Sequence, residues 1–305
     1  VEVGPRDGLQ NETKIVSTAD KIAFIRKLAE AGCPTVEATS FVSPKWVPAM
    51  ADSSQVMNEI RNWRNGQFES TRDTTFSVLV PNLKGFEGAL KGGADEVAIF
   101  GSASEAFSFK NINCSIDDSI ERFRNVTDAA KQHAIPVRGY VSCVMGCPYQ
   151  GSVPPSEVAR VAEKLAALGC REISLGDTIG RGTPQQTIDM LNEVKGVVDT
   201  DMLAVHFHDT YGQALANIYA ALCEGISVVD SSVSGLGGCP YAAGASGNVA
   251  TEDVVYMMHG MGIRTGVNLD RLMEAGSFIC DILGQPTRSK VAMALSQNGP
   301  TTTNT

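Results

Sequence analysis

The feature that most constrains the fold is a regular alternation of short strand-like runs with longer amphipathic stretches. The strand-like runs lie at Val1 to Gly4, Thr35 to Thr39, Phe76 to Val80, Glu96 to Phe100, Val137 to Ser142, Glu172 to Leu175, Leu203 to His208 and Ser227 to Val233. Between them, Thr18 to Ala31, Ser115 to His133, Pro155 to Leu168, Pro184 to Val198 and Tyr211 to Glu224 carry apolar residues at helical spacing. Eight such units with short connections predict a closed (β/α)₈ TIM barrel, an α/β fold, rather than an open doubly wound sheet. The glycine fingerprint of dinucleotide-binding folds, Gly-x-Gly-x-x-Gly, is absent after the first run.

The chain of 305 residues matches one such barrel, since about 250 residues suffice for the architecture. A single catalytic domain is therefore expected over 1–305, with its first strand truncated at the N-terminus. Helices are expected at Glu252 to Met261 and Leu269 to Leu283, with a C-terminal helical extension over 262–295 and a polar, disordered tail over 296–305. The polar, turn-rich segment Asn62 to Thr75 reads as a solvated loop.

Several function classes fall away on composition. Apolar stretches such as Val137 to Met145 are too short for a membrane span, so a soluble protein that is not secreted is expected. The net charge is −9 with dispersed cations, which argues against nucleic acid as a partner. Eight cysteines spread over a long chain predict reduced thiols, and Cys143 with Cys147 lacks the second ligand pair of a structural zinc site.

Active sites of this architecture form at the C-terminal ends of the strands, and polar residues gather there. Arg6 and Asp7 follow the first run, Glu37 lies in the second, Asp177 follows the sixth, His206 and His208 close the seventh, and Cys239 and Asn248 lie beyond the eighth. Strand alternation puts His206 and His208 on one face with Ala204, so both rings can reach one ion; a pair of hydrogen-bonded core histidines is the competing reading. Asp7 can add a carboxylate oxygen and Asn248 an amide oxygen, a mixed donor set that suits Mg²⁺, Mn²⁺ or Zn²⁺, with the oxygens favouring harder ions. Glu37 shares a face with Thr35 and Thr39 and should point inward, where Arg6 is the obvious partner and Glu2 a competing interior carboxylate. The segment from Gly235 to Asn248 carries five glycines, and closure of such a loop could deliver the Cys239 thiol as an acid or base. His133 and His259 read as surface or packing residues.

The chain resembles the 3-hydroxy-3-methylglutaryl-CoA lyase family. The likeness is carried by Val1-Glu-Val-Gly-Pro-Arg-Asp-Gly-Leu-Gln-Asn-Glu12, Glu37-Ala-Thr-Ser-Phe-Val-Ser-Pro-Lys-Trp46, Pro81-Asn-Leu-Lys-Gly85, Val137-Arg-Gly-Tyr-Val-Ser-Cys143, Ser174-Leu-Gly-Asp-Thr-Ile-Gly180 and His206-Phe-His-Asp-Thr-Tyr-Gly212. Its most specific part is Ser232-Val-Ser-Gly-Leu-Gly-Gly-Cys-Pro-Tyr241, which resembles the lyase cysteine signature. The resemblance implies divalent-cation-dependent cleavage of 3-hydroxy-3-methylglutaryl-CoA to acetyl-CoA and acetoacetate, the chemistry of ketone-body formation and leucine breakdown. It implies Asp7, His206, His208 and Asn248 as ligands of Mg²⁺ or Mn²⁺, and Arg6 as the group that stabilises an enolate. Cys239 would be the proton carrier and Glu37 the residue that orients Arg6. Asp7 or a nearby histidine is left as the base, His206 is counted among the catalytic residues, and Arg6 and Asp177 are expected to bind substrate. It further implies an acyl-CoA substrate, no nucleic-acid or membrane partner and a homodimer, located in the mitochondrial matrix in a eukaryote or the cytoplasm in a bacterium. A condensing synthase joining acetyl-CoA to a 2-oxo acid on the same barrel is the alternative. Two departures from the family stand out: a longer Asn62 to Thr75 segment, and an end that lacks a cysteine-containing peroxisomal signal.

Overall fold

The computed structural model describes residues 1–65, 73–238 and 247–296. Seven parallel strands follow in chain order around one sheet: β1 Thr35–Ser40, β2 Thr75–Leu79, β3 Glu96–Ser102, β4 Val137–Ser142, β5 Glu172–Asp177, β6 Leu203–Phe207 and β7 Val228–Asp230. The eighth position is filled by the first residues of the chain, which form no assigned strand of their own. Glu2 bridges Val36 on one side and Ser231 on the other, and backbone bonds from Glu2 N to Thr35 O and from Val3 N to Ser231 O, both 2.9 Å, close the ring. A full first strand is thus corrected to a short extended segment, because the chain turns away at Gly4.

The helices run α1 Thr18–Glu30, α2 Ser53–Asn65, α3 Leu83–Gly92, α4 Glu105–Ile112, α5 Ile116–Gln132, α6 Pro155–Ala167, α7 Pro184–Lys195, α8 Ala214–Cys223, α9 Thr251–Gly260, α10 Leu269–Leu283 and α11 Lys290–Ser296. Their starts follow from local chemistry. Ser17, Asn82, Ser104 and Ser115 each accept an amide three residues on, and Pro155 and Pro184 stand at first positions where no amide is needed. The strands are buried on both faces, with apolar residues turned toward the helices and several polar ones, as in TVEATS of β1, turned into the barrel. On β4, for example, Gly139 faces Leu165 of α6, whereas Arg138 and Tyr140 turn into the barrel.

Two expectations change at the edges of elements. The segment Asn62 to Thr75 is not one loop: α2 continues to Asn65, held by Trp63 against the core and by Arg64 bonded to Asp95 and Thr74 O, and Thr75 opens β2. Residues 66–72 lie outside the described residues. Ser296 closes α11 instead of opening a tail, and the rest of the proposed tail, 297–305, also lies outside the described residues. The extra C-terminal helices α10 and α11 pack on α1 and α9.

Candidate active site

The site begins with a wide turn. The amides of Arg6, Asp7 and Gly8 all converge on Val3 O, at 3.2, 2.8 and 3.2 Å, so Gly4–Gly8 coils as a single π-turn that lifts two charged side chains over the barrel mouth. Arg6 is buried. Its Nε and Nη2 donate to Glu37 Oε2 at 2.7 and 2.6 Å, and its Nη1 donates to Asp7 Oδ1 at 2.9 Å. The inward placement of Glu37 and its pairing with Arg6 are as the strand pattern predicts. Burial opposes the charge on Arg6, but Glu37 and Asp7 outweigh it and hold the guanidinium protonated. Its face lies 5.6 Å from the centre of the Tyr140 ring.

Asp7 faces the two histidines across β7, which lies between its segment and β6. One ligand atom each from Asp7, His206 and His208 lies within 4.8 Å of the others, a cluster that could hold a metal ion. Burial acts to raise the Asp7 carboxyl, yet Arg6, the two imidazoles and the Asn248 amide together lower it, so it stays anionic. His208 is pushed down to about 4 by burial and by His206 beside it, which leaves a neutral ring with a free lone pair. Its Nδ1 has no hydrogen-bond partner among the described residues. Burial acts to lower His206, but Asp230 and Asp7 outweigh it and raise that imidazole. A carboxylate oxygen and imidazole nitrogens are the donor types a divalent cation takes, so the residues fit such an ion, which would displace any proton from His206 Nε2.

Asn248 joins this cluster through the backbone. It forms a β-bridge with His208, and its Nδ2 donates to Asp7 Oδ2 at 2.8 Å and to Leu236 O at 3.1 Å. Asn248 N donates to Gly237 O at 3.3 Å, so the two ends of the glycine-rich segment meet beside Asp7. Cys239 itself lies outside the described residues.

The other expected residues divide clearly. Asp177 is not brought to the cluster: on β5 it takes the outward face, where Oδ2 accepts the Gly182 amide at 2.8 Å, and its neighbours Gly176 and Thr178 reach the cavity instead. Glu2 is an interior carboxylate, but it is used at the barrel seam, accepting from Gly4 N, Val233 N and Thr251 Oγ1, and not by Arg6. His133 and His259 are exposed. The cavity above the cluster has a volume of about 780 Å³, with Trp46, Phe107, Lys110 and Arg122 among its lining.

A buried network beneath the mouth was not anticipated. Asp230 accepts from Arg138 Nη1 and Nη2 at 2.9 and 2.7 Å and from Ser174 Oγ at 2.8 Å, and it stands 3.2 Å from His206 Nδ1. The signal was present in sequence as one arginine and one aspartate inside the apolar runs of β4 and β7, each needing a partner.

A parallel barrel whose mouth gathers a carboxylate, two imidazoles and a clamped guanidinium has the layout of a barrel enzyme with a site that could hold a metal ion. Comparison with known proteins narrows this class. Residues 1–279 match the HMGL-like family. The chain is 61% identical over 294 residues to the mitochondrial hydroxymethylglutaryl-CoA lyase of Rattus norvegicus, covering 96% of this chain and 88% of the relative. It is 59% identical over 297 residues to the enzyme of the same name from Arabidopsis thaliana, covering 97% of this chain but 62% of that longer protein. A crystal structure of hydroxymethylglutaryl-CoA lyase from Pseudomonas aeruginosa superposes with a TM-score of 0.93 at 56% identity, covering 98% of this chain and 97% of that one. The chain belongs to the HMGL-like family.

Proposed function

We propose that this chain is a carbon–carbon lyase that cleaves 3-hydroxy-3-methylglutaryl-CoA to acetyl-CoA and acetoacetate. The observation that carries the reading is the Arg6 guanidinium, held by Glu37 within hydrogen-bond reach of Asp7 and so beside the Asp7, His206 and His208 cluster. The names of the relatives point to the same reaction.

A divalent cation, Mg²⁺ or Mn²⁺, held by Asp7, His206, His208 and the amide oxygen of Asn248, would act as a Lewis acid toward the substrate oxygens. The remaining work belongs to the protein. The C3 hydroxyl proton passes to Asp7 or to a histidine beside it, the C2–C3 bond breaks, and its electron pair becomes the enolate of acetyl-CoA while C3 becomes the ketone of acetoacetate. Arg6, already fixed, stabilises the enolate oxygen and so favours the transition state over the bound substrate. Cys239 supplies the proton to C2. Glu37 keeps Arg6 in place; Asp177 contributes to substrate binding only through the loop it holds. Lys110 and Arg122 in the cavity lining supply cations for the phosphates of the thioester.

The partner is thus an acyl-CoA, and no helix among the described residues is long and apolar enough to cross a membrane. A homodimer is the assembly we propose, the commonest closed state of soluble enzymes. A mitochondrial or cytoplasmic setting accords with the names of the rat relative and of a cytoplasmic Danio rerio relative 58% identical over 298 residues.

An assay with a panel of 3-hydroxyacyl thioesters tests the reading. Acetoacetate should appear from the 3-hydroxy-3-methylglutaryl thioester and be lost in Cys239→Ala. Thiol release from acetyl-CoA and a 2-oxo acid, without cleavage, would replace the lyase by a condensing synthase.

A further inference from the structure

Beneath the mouth, a chain of buried charges runs up the barrel interior and ends on one histidine. Glu172 at the start of β5 bonds Arg138 Nε; Arg138 is 1% exposed and gives both terminal nitrogens to Asp230, which is also 1% exposed. Asp230 Oδ2 also accepts from Ser174 Oγ at 2.8 Å and faces His206 Nδ1 at 3.2 Å. A carboxylate held by a two-pronged guanidinium has only lone pairs to offer, so the hydrogen between it and the imidazole must sit on Nδ1. In the neutral ring that a cation takes, the lone pair then falls on Nε2, the nitrogen that lies 4.0 Å from Asp7 Oδ2.

We propose that Asp230, anchored by Arg138 and Ser174, is a positioning residue that locks His206 in the Nδ1–H tautomer and aims its Nε2 at the cation site. The inference rests on the reading that Asp7, His206 and His208 hold a divalent ion. A carboxylate behind a ligating histidine fixes ring and tautomer in metal sites generally, and its loss weakens metal affinity about 10- to 100-fold. The competing role is plain filling of the barrel by an ion pair. Filling alone does not require the aspartate, already paired with Arg138 on β4, to turn Oδ2 toward the ring nitrogen of its in-register neighbour His206 on β6, nor does it require Ser174 on β5 to complete the acceptor's shell.

Two measurements separate these roles. The protein has four histidines, so long-range proton–nitrogen correlation spectra with nitrogen-labelled histidine resolve each ring without any substitution. His206, assigned by its absence in His206→Ala, should carry its proton on Nδ1; a proton on Nε2 overturns the proposal. Mn²⁺ binding, followed by the electron paramagnetic resonance of free Mn²⁺, should weaken about 10-fold or more in Asp230→Asn, whose neutral amide cannot give a charge-assisted bond. Asp230→Asn should also populate both His206 tautomers, a change that barrel filling would not produce. A folded Asp230→Asn that keeps the wild-type Mn²⁺ affinity and a single Nδ1–H tautomer contradicts the proposal. Should wild type bind no Mn²⁺, or should His206→Ala bind it as tightly, the cation reading itself fails, and the tautomer spectrum still decides what Asp230 does to the ring.

Discussion

At the scale of single residues, the site depends on charges that burial would otherwise neutralise. Arg6 can remain a cation inside the mouth because Glu37 and Asp7 flank it, and Glu37 can remain buried because Arg6 meets it with two donors. Glu37→Gln should therefore lower turnover more than it weakens substrate binding, since it loosens the guanidinium rather than removing a substrate contact. Arg6→Met should lower kcat about 10²- to 10³-fold, the usual loss for one donor aimed at developing charge. Steady-state kinetics check both, and a variant that changes only KM would contradict the assigned roles. These residues were legible in sequence because charge inside an apolar run demands a partner, and the strand period told which face it takes. Asp230 escaped for a related reason: its partner Arg138 lies 92 residues away on β4, a pairing that only barrel closure reveals. Asp177 sits at a strand end, as a mouth residue should, yet falls on the outward face of β5, a choice of face set by its odd-numbered register with Ile173 and Leu175.

At the scale of elements, two tight turns stand back to back and carry the mouth. The Gly4–Gly8 π-turn packs on the turn after β7, and a methyl added at Gly237, where φ is +91°, would meet Asn248 Nδ2 at 2.9 Å, Gly8 Cα at 3.1 Å and Asp7 O at 3.3 Å. Gly237→Ala is expected to displace Asn248 and Asp7 together and to lower both activity and Mn²⁺ affinity by about 10-fold or more, with a loss of about 1 kcal/mol or more in stability from the disfavoured backbone alone. Unchanged Mn²⁺ affinity would mean that the turn does not set the ligands. The same turn is tied to α9, where both oxygens of Glu252 accept the amide of Ser234, itself at a φ of +57°. Burial, with Glu2 and Asp253 nearby, raises Glu252 to about 8 from an ordinary 4.5. A carboxyl raised by folding contributes stability that is full below pH 4.5 and is lost as pH rises through about 8. Thermal unfolding should thus show a larger fall in midpoint between pH 6 and pH 9 for wild type than for Glu252→Gln; parallel curves would contradict it. The glycines of this turn were legible as permissive backbone, but the tie from Ser234 to Glu252 was not, since a positive φ at a serine leaves no compositional trace.

At the scale of the whole molecule, the barrel was the most legible feature, because alternation of strand and helix recurs along the chain and each unit repeats the same evidence. The alternation predicts a closed ring but not how it closes: the first position is a bridge at Glu2 rather than a strand, held by two backbone bonds on the β1 side and by three on the β7 side, the N-terminal amine to Val229 O included. That closure brings residues 6 and 7 against residues 206, 208 and 248, so the proposed ligands of one ion come from both ends of the chain. We propose that this meeting point binds the divalent cation on which cleavage depends. Acetoacetate formation, measured on protein stripped with a chelator and then given Mg²⁺ or Mn²⁺, tests it most directly, with wild type beside His206→Ala. Wild type should lose activity on stripping and regain it with either ion, while His206→Ala should stay inactive at ion concentrations that restore wild type. Full turnover in chelator, or an active His206→Ala, would contradict the claim.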